Sequence, residues 1–183
     1  PPVSYIKVSG GIFLDMTIHD FDMVRFMSGA EVEEVFAYGA VLVDPAIGEA
    51  GDIDTAVISM KLSNGAIAVI DNCRRASYGY DQRVEAFGSL GQVAIANDTE
   101  SSAVISDKDG VHAEKPLLFF LERYMGAYVA EITEFIDCIV NNKEVSVGID
   151  CGLQPVLIGI AAKKSLTSGL PVKVSDIAKE YGL

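Results

Sequence analysis

Two side chains near the amino terminus are suited to moving a proton: Asp15 and His19, in Gly10-Gly11-Ile12-Phe13-Leu14-Asp15-Met16-Thr17-Ile18-His19-Asp20-Phe21-Asp22. An imidazole titrates near ~6.5, and a neighbouring carboxylate orients the ring and favours its protonated form. His19 is one of only 2 histidines, so few other groups could do this work near neutral pH. On one ideal helix, residues at this spacing lie about 40° apart on a face and roughly 6 Å apart along the axis. The spacing fits two plainer arrangements as well, a surface pair of little energetic weight or two metal ligands with Asp22 as a third. Against a metal, no Cys-x-x-Cys, His-x-x-x-His or His-Glu-x-x-His accompanies the pair, and His112 sits in a remote Gly- and Asp-rich turn. Spacing alone leaves the structural and catalytic readings open.

The elements that would position these residues follow from hydrophobic period and turn chemistry. The Gly-Gly turn and apolar Ile12, Leu14, Ile18 and Phe21 predict one amphipathic helix over 12–27. Residues 31–43 alternate and are β-branched, predicting a strand that ends at Asp44-Pro45. Residues 52–62 and 66–75 predict strands joined by Ser63-Asn64-Gly65, since Asn-Gly tolerates positive φ. Two more hairpins are expected, 82–87 with 92–97 around Gly88-Ser89-Leu90-Gly91, and 103–106 with 111–113 around Asp109-Gly110. Helices follow over 117–141 and 150–168, with Pro155 marking the true start of the second, and a short capped helix over 175–181. Strands in sequence followed by helices in sequence predict an α+β fold, an antiparallel-rich mixed sheet with helices packed on one face. Val57, Ser59 and Lys61, like Ile67, Val69 and Asp71, put apolar groups on the opposite face, so that face is expected to stay open for homo-oligomerisation.

Composition narrows the function classes. A chain of 183 residues, half of them hydrophobic, can bury a core as one soluble domain over 1–183. Charges interrupt every long apolar run, and no basic leader precedes an apolar stretch, so no membrane association is expected. A net charge of −12 argues against nucleic acid and anionic membranes, and is compatible with an uncharged sugar. Cys73, Cys138 and Cys151 form no disulfide pattern and fit a reducing cytoplasm as small, partly buried side chains. The chain opens Pro1-Pro2 without a methionine, as a piece of a longer protein would.

The segment Ser9-Gly10-Gly11-Ile12-Phe13-Leu14-Asp15-Met16-Thr17-Ile18-His19-Asp20 resembles the active-site helix of the Gfo/Idh/MocA oxidoreductases, in the branch that oxidises inositols. Three further segments resemble the same family in the same order. They are Asn72-Cys73-Arg74-Arg75-Ala76-Ser77-Tyr78-Gly79-Tyr80-Asp81-Gln82, the stretch from Phe120 to Ile132 with Tyr128, and Gly159-Ile160-Ala161-Ala162-Lys163-Lys164-Ser165 with Gly169-Leu170-Pro171-Val172. The resemblance spans essentially the whole chain but only the carboxy-terminal half of such an enzyme. The family's Rossmann domain, with its glycine-rich phosphate loop and catalytic lysine, has no counterpart here. Gly88-Ser89-Leu90-Gly91 has the wrong spacing for that loop, and Glu114-Lys115-Pro116 spells the lysine motif in the wrong place, after a polar turn. The chain departs from the family's usual helix at Leu153-Gln154-Pro155.

The resemblance implies NAD-dependent oxidation of a cyclic polyol hydroxyl, with NAD bound mainly by the absent amino-terminal domain. His19 would be the general base. Asp15 would hold substrate hydroxyls and stabilise the imidazolium, and Tyr80 and Tyr128 would add phenol hydrogen bonds to the polyol. Asp20 and Asp22 read instead as helix surface or as partners of Arg25. The isolated chain is then expected to be inactive. Two other readings stay open: a sibling enzyme for another sugar or sugar acid, and a non-catalytic oligomerisation or sugar-binding module.

Overall fold

The computed structural model describes residues 2–183. Along the chain run α1 (Val3–Ile6), α2 (Ile12–Asp15), α3 (Thr17–Ser28), β1 (Val32–Ala40), α4 (Pro45–Glu49), β2 (Thr55–Leu62) and β3 (Ile67–Cys73). Two hairpins follow, β4 (Val84–Gly88) with β5 (Gly91–Ile95) and β6 (Val104–Asp107) with β7 (Gly110–Ala113). The chain ends with α5 (Phe120–Asn141), α6 (Ile149–Ser168), β8 (Val172–Lys173) and α7 (Val174–Glu180). Two units divide it, one built from the segments up to Arg75 and from Val147 onward, the other from Ala76–Ser146.

The first unit is an α+β layer pair. Its sheet has the order β3-β2-β1-β8 and every pairing is antiparallel. Alternation along β2 buries Ala56, Ile58, Met60 and Leu62 and exposes Val57, Ser59 and Lys61. The buried side meets α3, α6 and α7, where Phe21, Val35, Ile58, Ile158 and Ile177 are fully enclosed. Each such side chain contributes about 1.5–3 kcal/mol through the apolar surface it withdraws from water. On the other side of the sheet Tyr38, Val57, Ile67 and Val69 are exposed.

Several local departures from the sequence reading have physical causes. The helix expected over 12–27 breaks at Met16 (φ −115°, ψ −60°), so Asp15 closes α2 while His19 lies in the first turn of α3. Thr17, fully buried just after the break, donates its hydroxyl to Asn72 Oδ1 at 2.6 Å, which ties the start of α3 to β3. Strand β1 stops at Ala40 rather than residue 43, because Asp54 takes the next N–H groups out of the ladder. Its carboxylate, fully buried, accepts from the backbone of Leu42, Val43 and Asp44 at 2.9 Å each. Asp44 then caps α4 by accepting from Ala46 N–H at 3.0 Å, with Pro45 in the first turn, where a missing donor matters least.

Helix α6 does not start at Pro155 but runs through it from Ile149. A proline inside a helix leaves the carbonyl four residues back without its donor. That carbonyl belongs to Cys151, and Arg25 Nη1 donates to it at 3.2 Å from α3. Arg25 also holds Glu31 at 2.7 Å and Asp22 at 3.1 Å. Asp22 is thus its partner, as expected. The last helix, α7, begins at Val174 without a side-chain cap.

In the second unit, both hairpins turn on two residues, Ser89-Leu90 and Lys108-Asp109; Gly88 pairs with Gly91 in the first, and the second turn sits one residue before the expected Asp109-Gly110, with Asp107 opposite Gly110. Helix α5 starts at Phe120, where Glu122 Oε2 accepts from the N–H groups of Leu118 and Phe119 at 3.0 and 3.2 Å. Gly79 takes φ +146°, and a Cβ there would sit 2.6 Å from the Pro116 carbonyl oxygen, so only glycine fits this crossing of two loops.

Candidate active site

The carboxylate of Asp15 is anchored on both oxygens. Tyr5 Oη donates to Oδ1 at 2.6 Å, and Arg74 Nη1 donates to Oδ2 at 2.9 Å. The other arm of the Arg74 fork, Nη2, donates to Asp52 Oδ2 at 3.0 Å. Asp52 in turn accepts from the Ile12 N–H through Oδ1 at 3.1 Å, at the start of α2. One guanidinium therefore clamps both ends of a one-turn helix, directly at Asp15 and through Asp52 at Ile12. Gly11 makes the clamp possible, since a Cβ there would meet Asp52 Oδ1 at 2.8 Å and its φ is +84°.

Burial gives the clamp its weight. The Arg74 side chain is 3% exposed, Asp15 14% and Asp52 12%. A charge withdrawn from water to this degree requires opposite charges at hydrogen-bond distance. Arg74 keeps its fork on both carboxylates even though its Nε is the one buried side-chain nitrogen or oxygen without a hydrogen-bond partner among the described residues. The Tyr5 hydroxyl is pushed above its ordinary pKa, first by donating to Asp15 and second by that carboxylate's charge.

His19 is exposed on α3, and its imidazole has no hydrogen bond or ion pair among the described residues. Asp15 and His19 are thus neighbours in sequence across the Met16 break, but the carboxylate's partners are Arg74 and Tyr5 rather than the imidazole. The α3 side of the break is held by Asn72, whose Oδ1 takes the Thr17 hydroxyl and whose Nδ2 donates to Asp20 at 3.0 Å.

Tyr80 and Tyr128 belong to the second unit. Tyr80 is half-buried, its N–H donates to Leu117 O at 2.8 Å, and its ring meets Tyr124 edge-on at 6.0 Å. Tyr128, on α5, is 41% exposed. Next to Tyr80, Asp81 gathers Arg83 Nε at 2.7 Å, Asn97 Nδ2 at 2.5 Å and the Tyr78 hydroxyl. The Arg83 bond is the largest of the effects that hold its carboxyl well below the usual carboxylate range, against a smaller upward push from burial. Among the described residues no group of three or more His, Cys, Asp and Glu is placed to share a metal ion, and no helix is long and apolar enough to cross a membrane.

Known proteins resemble this chain in sequence and fold. A profile of the GFO/IDH/MocA C-terminal domain fits residues 3–94, half of the chain. The chain belongs to this family. The myo-inositol 2-dehydrogenase of Thermotoga maritima is 51% identical over 177 residues, which is 97% of this chain and 53% of that protein. A solved structure of a probable dehydrogenase from the same organism superimposes with a TM-score of 0.94 at 51% identity, covering 97% of this chain and 53% of that one. The scyllo-inositol dehydrogenase of Lactobacillus casei, solved with bound NAD(H) and scyllo-inositol, gives a TM-score of 0.84 at 30% identity, over 91% and 49% of the two chains. This family member spans about half the length of the relatives it matches.

Sequence reasoning singled out Asp15 and His19 but passed over Arg74, Asp52, Tyr5 and Asn72. One signal was available. Continuing the alternation of β3 puts Asn72 and Arg74 on the same side as buried Ile70, and inward polar groups at a strand end need partners.

Proposed function

We propose that this chain is the substrate side of an NAD-dependent inositol dehydrogenase, which oxidises a ring hydroxyl of a cyclic polyol. The observation that carries the proposal is a clamped carboxylate, Asp15, at the end of α2, followed across the Met16 break by an exposed and unpartnered imidazole, His19, in the first turn of α3. The names of the relatives, dehydrogenases of myo- and scyllo-inositol, supply the substrate class.

The cofactor's cradle is not built from these residues. Among those described, no strand, glycine-rich turn and helix follow one another in the phosphate-binding manner, and Gly88 and Gly91 belong to the β4–β5 hairpin. Steps assigned to this chain are therefore confined to holding the polyol and moving its proton. Two of the roughly four lone-pair directions of the Asp15 carboxylate are taken by Tyr5 and Arg74, which leaves room for two substrate hydroxyls. The His19 imidazole accepts the proton of the reacting hydroxyl as its O–H bond breaks. General-base help of this kind is typically worth ~10²–10⁴-fold.

The test is turnover by the full-length protein. Myo- or scyllo-inositol should drive NADH formation, the isolated chain should form none, and His19→Ala should lower kcat far more than it raises KM. A full-length protein that prefers an acyclic sugar or a sugar acid in a substrate panel would move the proposal to a sibling activity. Unchanged kcat in His19→Ala would remove His19 from the chemistry. Association of copies through the sheet face bearing Tyr38, Val57, Ile67 and Val69 is part of the proposal, and light scattering on Val69→Glu would test it. So is a reducing cytoplasm, supported by three unpaired cysteines.

A further inference from the structure

We propose that Arg74 is the positioning residue for substrate binding, acting through Asp15 and fixed in turn by Asp52. The inference rests on the polyol-dehydrogenase reading above and adds a residue to it. A carboxylate that receives two hydroxyls of a rigid ring must present its lone pairs in a set direction. The side chain of an aspartate on a helix of one turn has little of its own to set that direction. Here it is set by an asymmetric grip, with Arg74 Nη1 on Oδ2 and Tyr5 Oη on Oδ1.

The two grips differ in kind. Tyr5 is exposed, and its hydroxyl can be exchanged for water or for a substrate hydroxyl of similar chemistry. Arg74 is enclosed, planar and tied down at its second arm by Asp52, so it cannot follow the carboxylate if that group turns. Asp52 is likewise held by the Ile12 N–H and wedged against Gly11. The orientation of Asp15 is thus inherited from the sheet end and the start of α2 rather than from α2 itself. The unpartnered Nε of Arg74 fits this assignment, because the guanidinium is placed for the two carboxylates at the expense of its own third direction.

The experiment is a double-mutant cycle in the full-length enzyme, with inositol as the varied substrate. Arg74→Met should raise KM for inositol about tenfold and lower kcat/KM by about 10²-fold, the scale expected when a binding group is displaced by an ångström. In an Asp15→Asn background the same substitution should leave KM within about twofold, because the group it positions is already altered. A merely structural role gives the opposite pattern, with fewer active molecules, an unchanged KM, and effects that multiply across the two backgrounds. Arg74→Lys repeats the cycle with the charge kept and the fork lost, and decides the matter if Arg74→Met does not fold. Multiplying effects, or an unchanged KM in a folded Arg74 variant, overturn the positioning role alone. A parent enzyme that oxidises no polyol overturns this role together with the function it rests on.

Discussion

Replacing Asp54 with asparagine should destabilise the protein by about 2 kcal/mol at neutral pH, and the loss should fade in acid. Asp54 is fully buried and accepts four bonds, from the backbone of Leu42, Val43 and Asp44 at 2.9 Å and from Thr55 Oγ1 at 2.8 Å. An asparagine keeps one acceptor oxygen. Placed toward Val43 and Asp44, it turns its amide N–H₂ toward the Leu42 N–H and the Thr55 hydroxyl. The hydroxyl can rotate to accept, but the Leu42 N–H cannot, and a donor left so costs about 1–3 kcal/mol. The two bonds that remain also lose their charge assistance. Heating followed by circular dichroism should show Tm lower by about 4–8 °C, from about 2–4 °C per kcal/mol at this size. Acid diminishes the difference for a definite reason. Burial pushes the Asp54 carboxyl up, yet the three backbone bonds and the Thr55 hydroxyl outweigh it and hold its pKa at about 2, below the ordinary 3.8. A depressed carboxylate stabilises fully above its unfolded pKa and loses that contribution as pH falls through the folded one. The gap between parent and Asp54→Asn in urea midpoint should therefore be constant from pH 7 to about 5 and narrow between about 4 and 2. A variant as stable as the parent at pH 7, or a gap that is indifferent to acid, would refute the account of this loop.

Two further substitutions probe the supports of the site. Gly11→Ala should cost about 1–3 kcal/mol, since its Cβ would meet Asp52 Oδ1 at 2.8 Å on a backbone with φ +84°, and, under the proposed activity, should raise KM for inositol in the full-length protein; a thermal melt and a KM measurement check both. Arg25→Met should cost about 2 kcal/mol by orphaning the Cys151 carbonyl, and less in a Pro155→Ala background, where a restored N–H can bond that carbonyl; the urea midpoints of the four proteins give the coupling.

The strands were legible because alternation is local. Each residue of 55–62 and 67–73 reports its own face, and Asn64-Gly65 announces the turn between them. The pair Asp15 and His19 was legible as chemistry but not as geometry. A period of 3.6 residues places both on one helix, whereas the break at Met16 follows from Thr17 and Asn72 meeting 55 positions apart. Arg74 half-announced itself by falling on the inward side one residue past the end of β3. Its partners could not be read, since nothing local to Asp52 or Tyr5 marks them as the anion and the hydroxyl that share a carboxylate clamp. Pro155 misled for a similar reason, because the donor that lets α6 run through it comes from Arg25, far back in the chain. The roles of Tyr80 and Tyr128 still rest on the family resemblance.

The interruption of the first unit by the second has a consequence in time. Helix α6 closes the core over β1, yet Ile149 follows the end of β3 at Cys73 only after 75 intervening residues. On a ribosome adding about 5–20 residues per second, that gap lasts about 4–15 s. Throughout it, the nascent sheet lacks Leu157, Ile158 and Ala161, the α6 side chains that share one core with Val35 and Ala37 of β1 in the finished fold. This window, rather than the finished protein, is where chaperones should engage the chain, and synonymous codon changes that slow synthesis between residues 74 and 148 should lengthen it and lower the soluble yield.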